Sequence, residues 1–177
     1  MLHKILKYGL IAGLVVGIAL FATTVATNGQ PPPGYGMALG YLTMLIALSA
    51  VFVGIKRYRD VDRGGVIRFW PAFGMGLGIS VVASVLYVLS WEAALAFTGV
   101  DFPEVFANAM LERQKAKGMS ADALAKLAEE MEAFKLQYAK PMIRMPMTFV
   151  EIFPVGLLVS LVSAGLLRNP RFLPARA

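Results

Sequence analysis

The chain has no cysteine and a single histidine, His3, beside the first methionine. Without cysteine there is no disulfide and no thiolate ligand or nucleophile. With the one imidazole at the chain start, no histidine lies within the apolar segments to activate a serine, so a nucleophile-and-base enzyme is not expected. A metal site would have to be built from carboxylates, and only Glu92 and Glu151 lie near the apolar runs, so neither metal nor cofactor is expected. Charge is scarce as well. Only 16% of the 177 residues are charged, against about 25% in an ordinary soluble domain. No phosphate-loop or dinucleotide fingerprint is present, because Gly74, Gly76 and Gly78 sit within an unbroken apolar helix pattern.

What is abundant is hydrocarbon. The chain is 58% hydrophobic, with a mean hydropathy of +0.65. A globule of this size cannot hide that much apolar surface, so the expected solvent is a bilayer. Four segments reach the roughly 20 apolar residues needed to cross a hydrocarbon core about 30 Å thick. They run over about 8–26, 37–55, 69–97 and 147–167. Lys4, Lys7 and the triplet Thr24-Val25-Ala26 would suit a cleaved signal peptide. The first apolar run is longer than the usual 7–15 residues, and a retained helix is expected.

Basic residues set the expected orientation. Lys4 and Lys7 precede the first span, Lys56, Arg57, Arg59, Arg63 and Arg68 fill the link between spans two and three, and Arg168, Arg171 and Arg176 follow the last. The link over 27–36 has none. Both termini and the basic link are therefore expected in the cytoplasm. The five basic side chains of that link are expected among anionic lipid head groups, each contributing about 1 kcal/mol. Their position beside apolar runs argues against nucleic acid. Asp60 and Asp62 are read as local ion-pair partners of this loop, and Trp70 and Trp91 as interfacial anchors of span three.

The long link between spans three and four holds seven basic and seven acidic residues between Asp101 and Arg144. It reads as an extracytoplasmic helical hairpin over 101–140. Asp101 and Ser120 are its N-caps, Gly118 is the stop between its helices, and Leu124, Leu127, Met131, Phe134 and Tyr138 form an apolar stripe. The stripe can pack on the hairpin's own first helix and the membrane face, or offer a platform to a partner. The expected fold is all-α, an integral membrane four-helix bundle with this hairpin inserted between spans three and four.

Small residues recur every four positions: Gly9, Gly13 and Gly17 in span one, Gly76, Ser80 and Ser84 in span three, Gly156, Ser160 and Ala164 in span four. Such faces let helix backbones approach in lipid, either within one bundle or between two copies. Glu92 and Glu151 are expected at a similar, outer level, with Arg144 as a nearby counter-charge. Thr148-Phe149-Val150-Glu151 fits a capping box at the start of span four, and Pro154 should bend the helix one turn further in. Glu151 lies about 180° around the helix from Ser160, so it should face away from the tight-packing side.

The blocks KYGLIAGL (Lys7–Leu14), GYLTMLIALSAVFVGIKRYRD (Gly40–Asp60), GGVIRFWPAFGMGL (Gly64–Leu77) and FVEIFPVGLLVSLVSAGLL (Phe149–Leu167) follow one another around a long charged third link. In that order they resemble the bacterial membrane-protein family described as domain of unknown function 4199. The resemblance covers about Leu6 to Leu167 and implies a four-helix protein of the bacterial inner membrane, with no activity to carry over. The functional expectation is a non-enzymatic accessory or scaffold protein that binds a membrane partner or itself. The alternative is a small carrier or channel component using Glu92 and Glu151 for protons or cations.

Overall fold

The computed structural model describes residues 1–30 and 35–174; Arg176 and the Pro31–Gly34 part of the first link lie outside them. Six helices follow in order, with no strand among the described residues. They are α1 (Leu2–Thr27), α2 (Gly36–Arg57), α3 (Phe69–Thr98), α4 (Phe102–Ala116), α5 (Ala121–Tyr138) and α6 (Pro141–Leu167), with a π-helical turn over Tyr58–Asp62 prolonging α2. Helices α1, α2, α3 and α6 are long and apolar enough to cross a membrane. The molecule is an all-α membrane helical bundle.

Helix α3 is the axis of the bundle. Half of its most apolar stretch is buried within the protein, against a third for each of the other three spans. It packs on α1, α6 and α2, while α2 bridges α1 and α6 on the other side. The small-residue faces explain the arrangement. On α1, Gly9, Gly13 and Gly17 meet Val82, Leu86 and Ser90 of α3, one turn apart, and a Cβ at any of the three glycines would come within 2.6 Å of the facing side chain. Between α3 and α6 the contact is reciprocal: Gly76 faces Ser160 and Gly156 faces Ser80. The Ser80 and Ser160 hydroxyls lie 3.2 Å apart, and each also donates to a carbonyl of its own helix, Gly76 at 3.0 Å and Gly156 at 2.7 Å. Ser84 likewise donates to the Ser80 carbonyl, and Ala164 is fully buried. Lipid gives helices no hydrophobic reason to associate, so close packing and these hydroxyls hold the seam. The small faces are consumed inside the bundle, and none of them is left open for a second copy.

One end of the bundle is tied by charge. Lys4 pairs with Asp62, and Lys56 with Asp60 at 2.5 Å. Arg59 is the exception to the expectation that this loop lies among lipid head groups. It is completely buried, and its guanidinium donates to Asp60 at 2.7 Å and to the carbonyls of Leu167, Phe172 and Leu173. The last carbonyls of α6 have no intrahelical amide; Arg59 donates to one of them, Leu167, and to two carbonyls of the segment that follows, while its charge is met by Asp60. Lys56 is partly buried in its ion pair, and Arg63 donates twice to the Tyr58 hydroxyl. Arg57, Arg63 and Arg68 keep exposed surface. Gly64 and Gly65, both at positive φ, turn the chain back into α3.

At the other end, α4 and α5 form the hairpin. Asp101 accepts from the Glu104 amide, Ser120 from the Ala123 amide, and Gly118 breaks the helix at φ +79°. Phe106 meets Phe134 at a tilt with ring centres 5.7 Å apart, and Lys135 pairs with both Glu104 and Glu132. The hairpin is seated on α3 by Trp91, whose indole N–H donates to the Tyr138 hydroxyl at 2.8 Å and whose ring meets Phe102 edge-on at 4.8 Å. Trp91 is only 8% exposed, so it is a socket for the hairpin and not the interfacial anchor expected of it; Trp70, 74% exposed, is free to be one.

Candidate functional site

Helix α6 begins at Pro141, not near Met147, and its N-cap is Lys140. The capping box is thereby overturned. Thr148 lies in the third turn, and its hydroxyl donates back to the Arg144 carbonyl at 3.1 Å instead of accepting a free amide. Pro146 was the misleading signal, because it reads as a boundary. With Pro141 already in the first turn, the helix runs without interruption across both Pro146 and Pro154.

The earlier start separates the two acids. Arg144 reaches across to α3 and grips Glu92 with two prongs, Nε to Oε1 at 2.7 Å and Nη2 to Oε2 at 2.5 Å. Both side chains are largely covered, at 17% and 21% exposure. A fork on a carboxylate is the strong geometry for such a pair, and here it ties α3 to α6 beneath the hairpin. Arg144 also donates to the Tyr138 carbonyl at 3.4 Å and lies over that ring. Burial pushes the Tyr138 hydroxyl up to about 12, so it stays protonated as a partner for the Trp91 indole.

Glu151 is elsewhere. Its carboxylate accepts from the Tyr87 hydroxyl at 3.2 Å, and Tyr87 stands five residues before Glu92 on α3. At the helical rise that puts Glu151 roughly 7.5 Å deeper than the Glu92–Arg144 pair. The two acids thus occupy different levels and different environments, contrary to the similar level expected. Glu92 is neutralised; Glu151 has one neutral side-chain partner among the described residues and is an exposed residue on the outside of the bundle. Ser160, about 180° away by helical rotation, is fully buried. Tyr87 was the missed residue. A lone hydroxyl in the otherwise apolar run Val85–Leu89 was the available signal.

Between α3 and α6 an open groove of about 500 Å³ is lined by Val85, Val88, Leu89, Met145, Pro146, Phe149 and Val150, without a polar surface. No group of three or more histidine or acidic side chains gathers among the described residues.

Four apolar crossing helices, a seam of glycine and serine, and an ion pair under a helical cap define an integral membrane protein of the all-α class. Residues 7–169 match the family described as "Protein of unknown function (DUF4199)". That is nearly the whole chain, which therefore belongs to this family. No curated protein and no solved structure matches it.

Proposed function

We propose that the chain is a non-enzymatic accessory protein of the bacterial inner membrane that holds a second membrane protein against the outward face of α6. The observation that carries this reading is Glu151, an exposed residue of a crossing helix whose carboxylate has, among the described residues, one tyrosine hydroxyl to support it. A charged side chain facing hydrocarbon costs about 2.5–3.5 kcal/mol at mid-membrane and less toward the boundary. A protein surface that supplies a donor there removes the cost. Association with itself loses support, because the small-residue faces suited to it are occupied within the bundle.

The orientation we favour has both termini and the basic end in the cytoplasm, with the hairpin outside. Lys7, Arg57, Arg63, Arg68, Arg168 and Arg171 are all exposed at that end, where anionic lipid would receive them.

The hydrogen bond from Tyr87 to Glu151 also supports a second reading, a proton site in a small carrier. Glu92 takes no part in it, being held by Arg144. The experiment that separates the readings is Glu151→Gln. In the accessory reading, the variant weakens a co-migrating complex on native gels of polymer-extracted membrane, and proteoliposomes of either form show no proton flux. Flux in the wild type that Glu151→Gln abolishes would replace the accessory reading with the carrier.

A further inference from the structure

Helix α6 carries an unbroken outward stripe, Met147, Glu151, Pro154, Leu158, Val162 and Gly165, at steps of three and four. Met147, Leu158 and Val162 are 44%, 62% and 60% exposed, and a Cβ on Gly165 would meet nothing within 4 Å. This is the spacing with which one helix packs along another, and Gly165 leaves room for close backbone approach that none of the described residues uses.

The chemistry at the upper part of the stripe is one-sided. Glu151 offers carboxylate oxygens. Pro154 has no amide hydrogen, so the Val150 carbonyl one turn earlier loses its helical donor. An anion and a freed carbonyl, on adjacent residues of an exposed helix face, make a site of acceptors that asks for a charged donor. The described part of this chain has none to give there. Its crossing segments contain no lysine or arginine at that level; Arg144, seven residues earlier and about 10 Å higher, is already engaged by Glu92. Two copies meeting along α6 would set carboxylate against carboxylate or against hydrocarbon.

Building on the accessory reading, we infer that the occupant of this stripe is a membrane helix of a different chain, bearing a lysine or arginine that meets Glu151 and the Val150 carbonyl about two turns inside the outer boundary. The lower stripe, from Leu158 to Gly165, supplies apolar contact, and the charge pair sets register and choice of partner. A neutral or acidic helix would leave the acceptors unsatisfied, which gives the site its selectivity.

The test is a photo-crosslinking residue, benzoylphenylalanine, placed at Leu158 in the full chain in its native membrane, with a second probe at Leu14 on the exposed side of α1. The inference expects one adduct from Leu158, to a different protein whose crosslinked helix contains lysine or arginine. Glu151→Lys should reduce it at least about tenfold, the change expected from losing one charge-assisted hydrogen bond. Asp replacing the partner's cation should restore it. Glu151→Ala, with thermal unfolding measured for both variants, guards against loss by misfolding. An adduct to a second copy of this chain, or one indifferent to Glu151, overturns the inference. An adduct from Leu158 to a different protein whose crosslinked helix lacks lysine and arginine overturns it while leaving the accessory reading in place; an adduct from Leu14 alone overturns both. No adduct from either position sinks both.

Discussion

At the residue scale, Arg59 and Glu151 show how little a charge count says about role. Five basic residues in one short link look alike in sequence, and all five can serve head groups. Only the fold distinguishes Arg59, whose side chain turns inward because the π-helical turn and the returning segment after α6 surround it with carbonyls. Replacing it by alanine strands those carbonyls and unbalances Asp60; we expect a loss of about 3 kcal/mol, the cost of breaking a buried charged contact. Arg59→Lys should recover part of it, since an ammonium cannot reach three carbonyls and a carboxylate together. Arg57→Ala, at an exposed position, should leave thermal unfolding in detergent unchanged. Glu151 was legible as an oddity, an acid in an apolar run. Its partner was not, because Tyr87 is 64 residues away and tyrosine in a span is ordinary.

At the element scale, the spans were readable because hydrocarbon thickness demands them, and the hairpin because Asp101, Gly118 and Ser120 carry capping and stop signals. Helix α6 was misjudged at its start, where apolar composition begins later than helical geometry and Pro146 imitates an end. The small-residue faces were visible, but their partners follow from three-dimensional pairing that spacing alone cannot give. Glycines therefore differ sharply in tolerance. Gly13→Ala places a Cβ 2.5 Å from Leu86 and should cost about 1–3 kcal/mol by overpacking, whereas Gly74→Ala meets open space and should be neutral or slightly stabilising. Thermal unfolding of the two variants in one detergent checks this.

The hairpin has a pH dependence of its own. The hydrogen bond from Lys135 holds the Glu104 carboxyl below its ordinary 4.5. A depressed carboxylate stabilises the fold above its unfolded value, and that contribution is lost as pH falls through the folded value. Protection factors for hydrogen exchange in α4 and α5, taken against the intrinsic rate at each pH, should therefore fall as pH drops below about 4.5, modestly because Glu104 is exposed. In Glu104→Gln the same residues should show no such acid step.

At the scale of the whole molecule, charge divides the bundle into two ends and a middle. The basic end is stitched by Lys4–Asp62, Lys56–Asp60 and Arg59, the far end by Glu92–Arg144 and the Trp91 socket, and the middle by close contacts of glycine and serine within an apolar core. A chain without cysteine accepts single thiols, so the orientation is open to direct test. Val66→Cys, in the exposed loop before α3, should react with an impermeant maleimide only after the membrane is opened, and Lys117→Cys in the hairpin should react in intact cells. The opposite pattern would invert the topology.

On the proposed reading, α6 presents its acid to a different protein. Native mass spectrometry of the chain, extracted with its surrounding lipid in polymer discs, measures this most directly. One copy of this 19.1 kDa chain should appear together with a second, different membrane protein, and the two should dissociate in Glu151→Lys. The chain found alone, or only in multiples of itself, would contradict it.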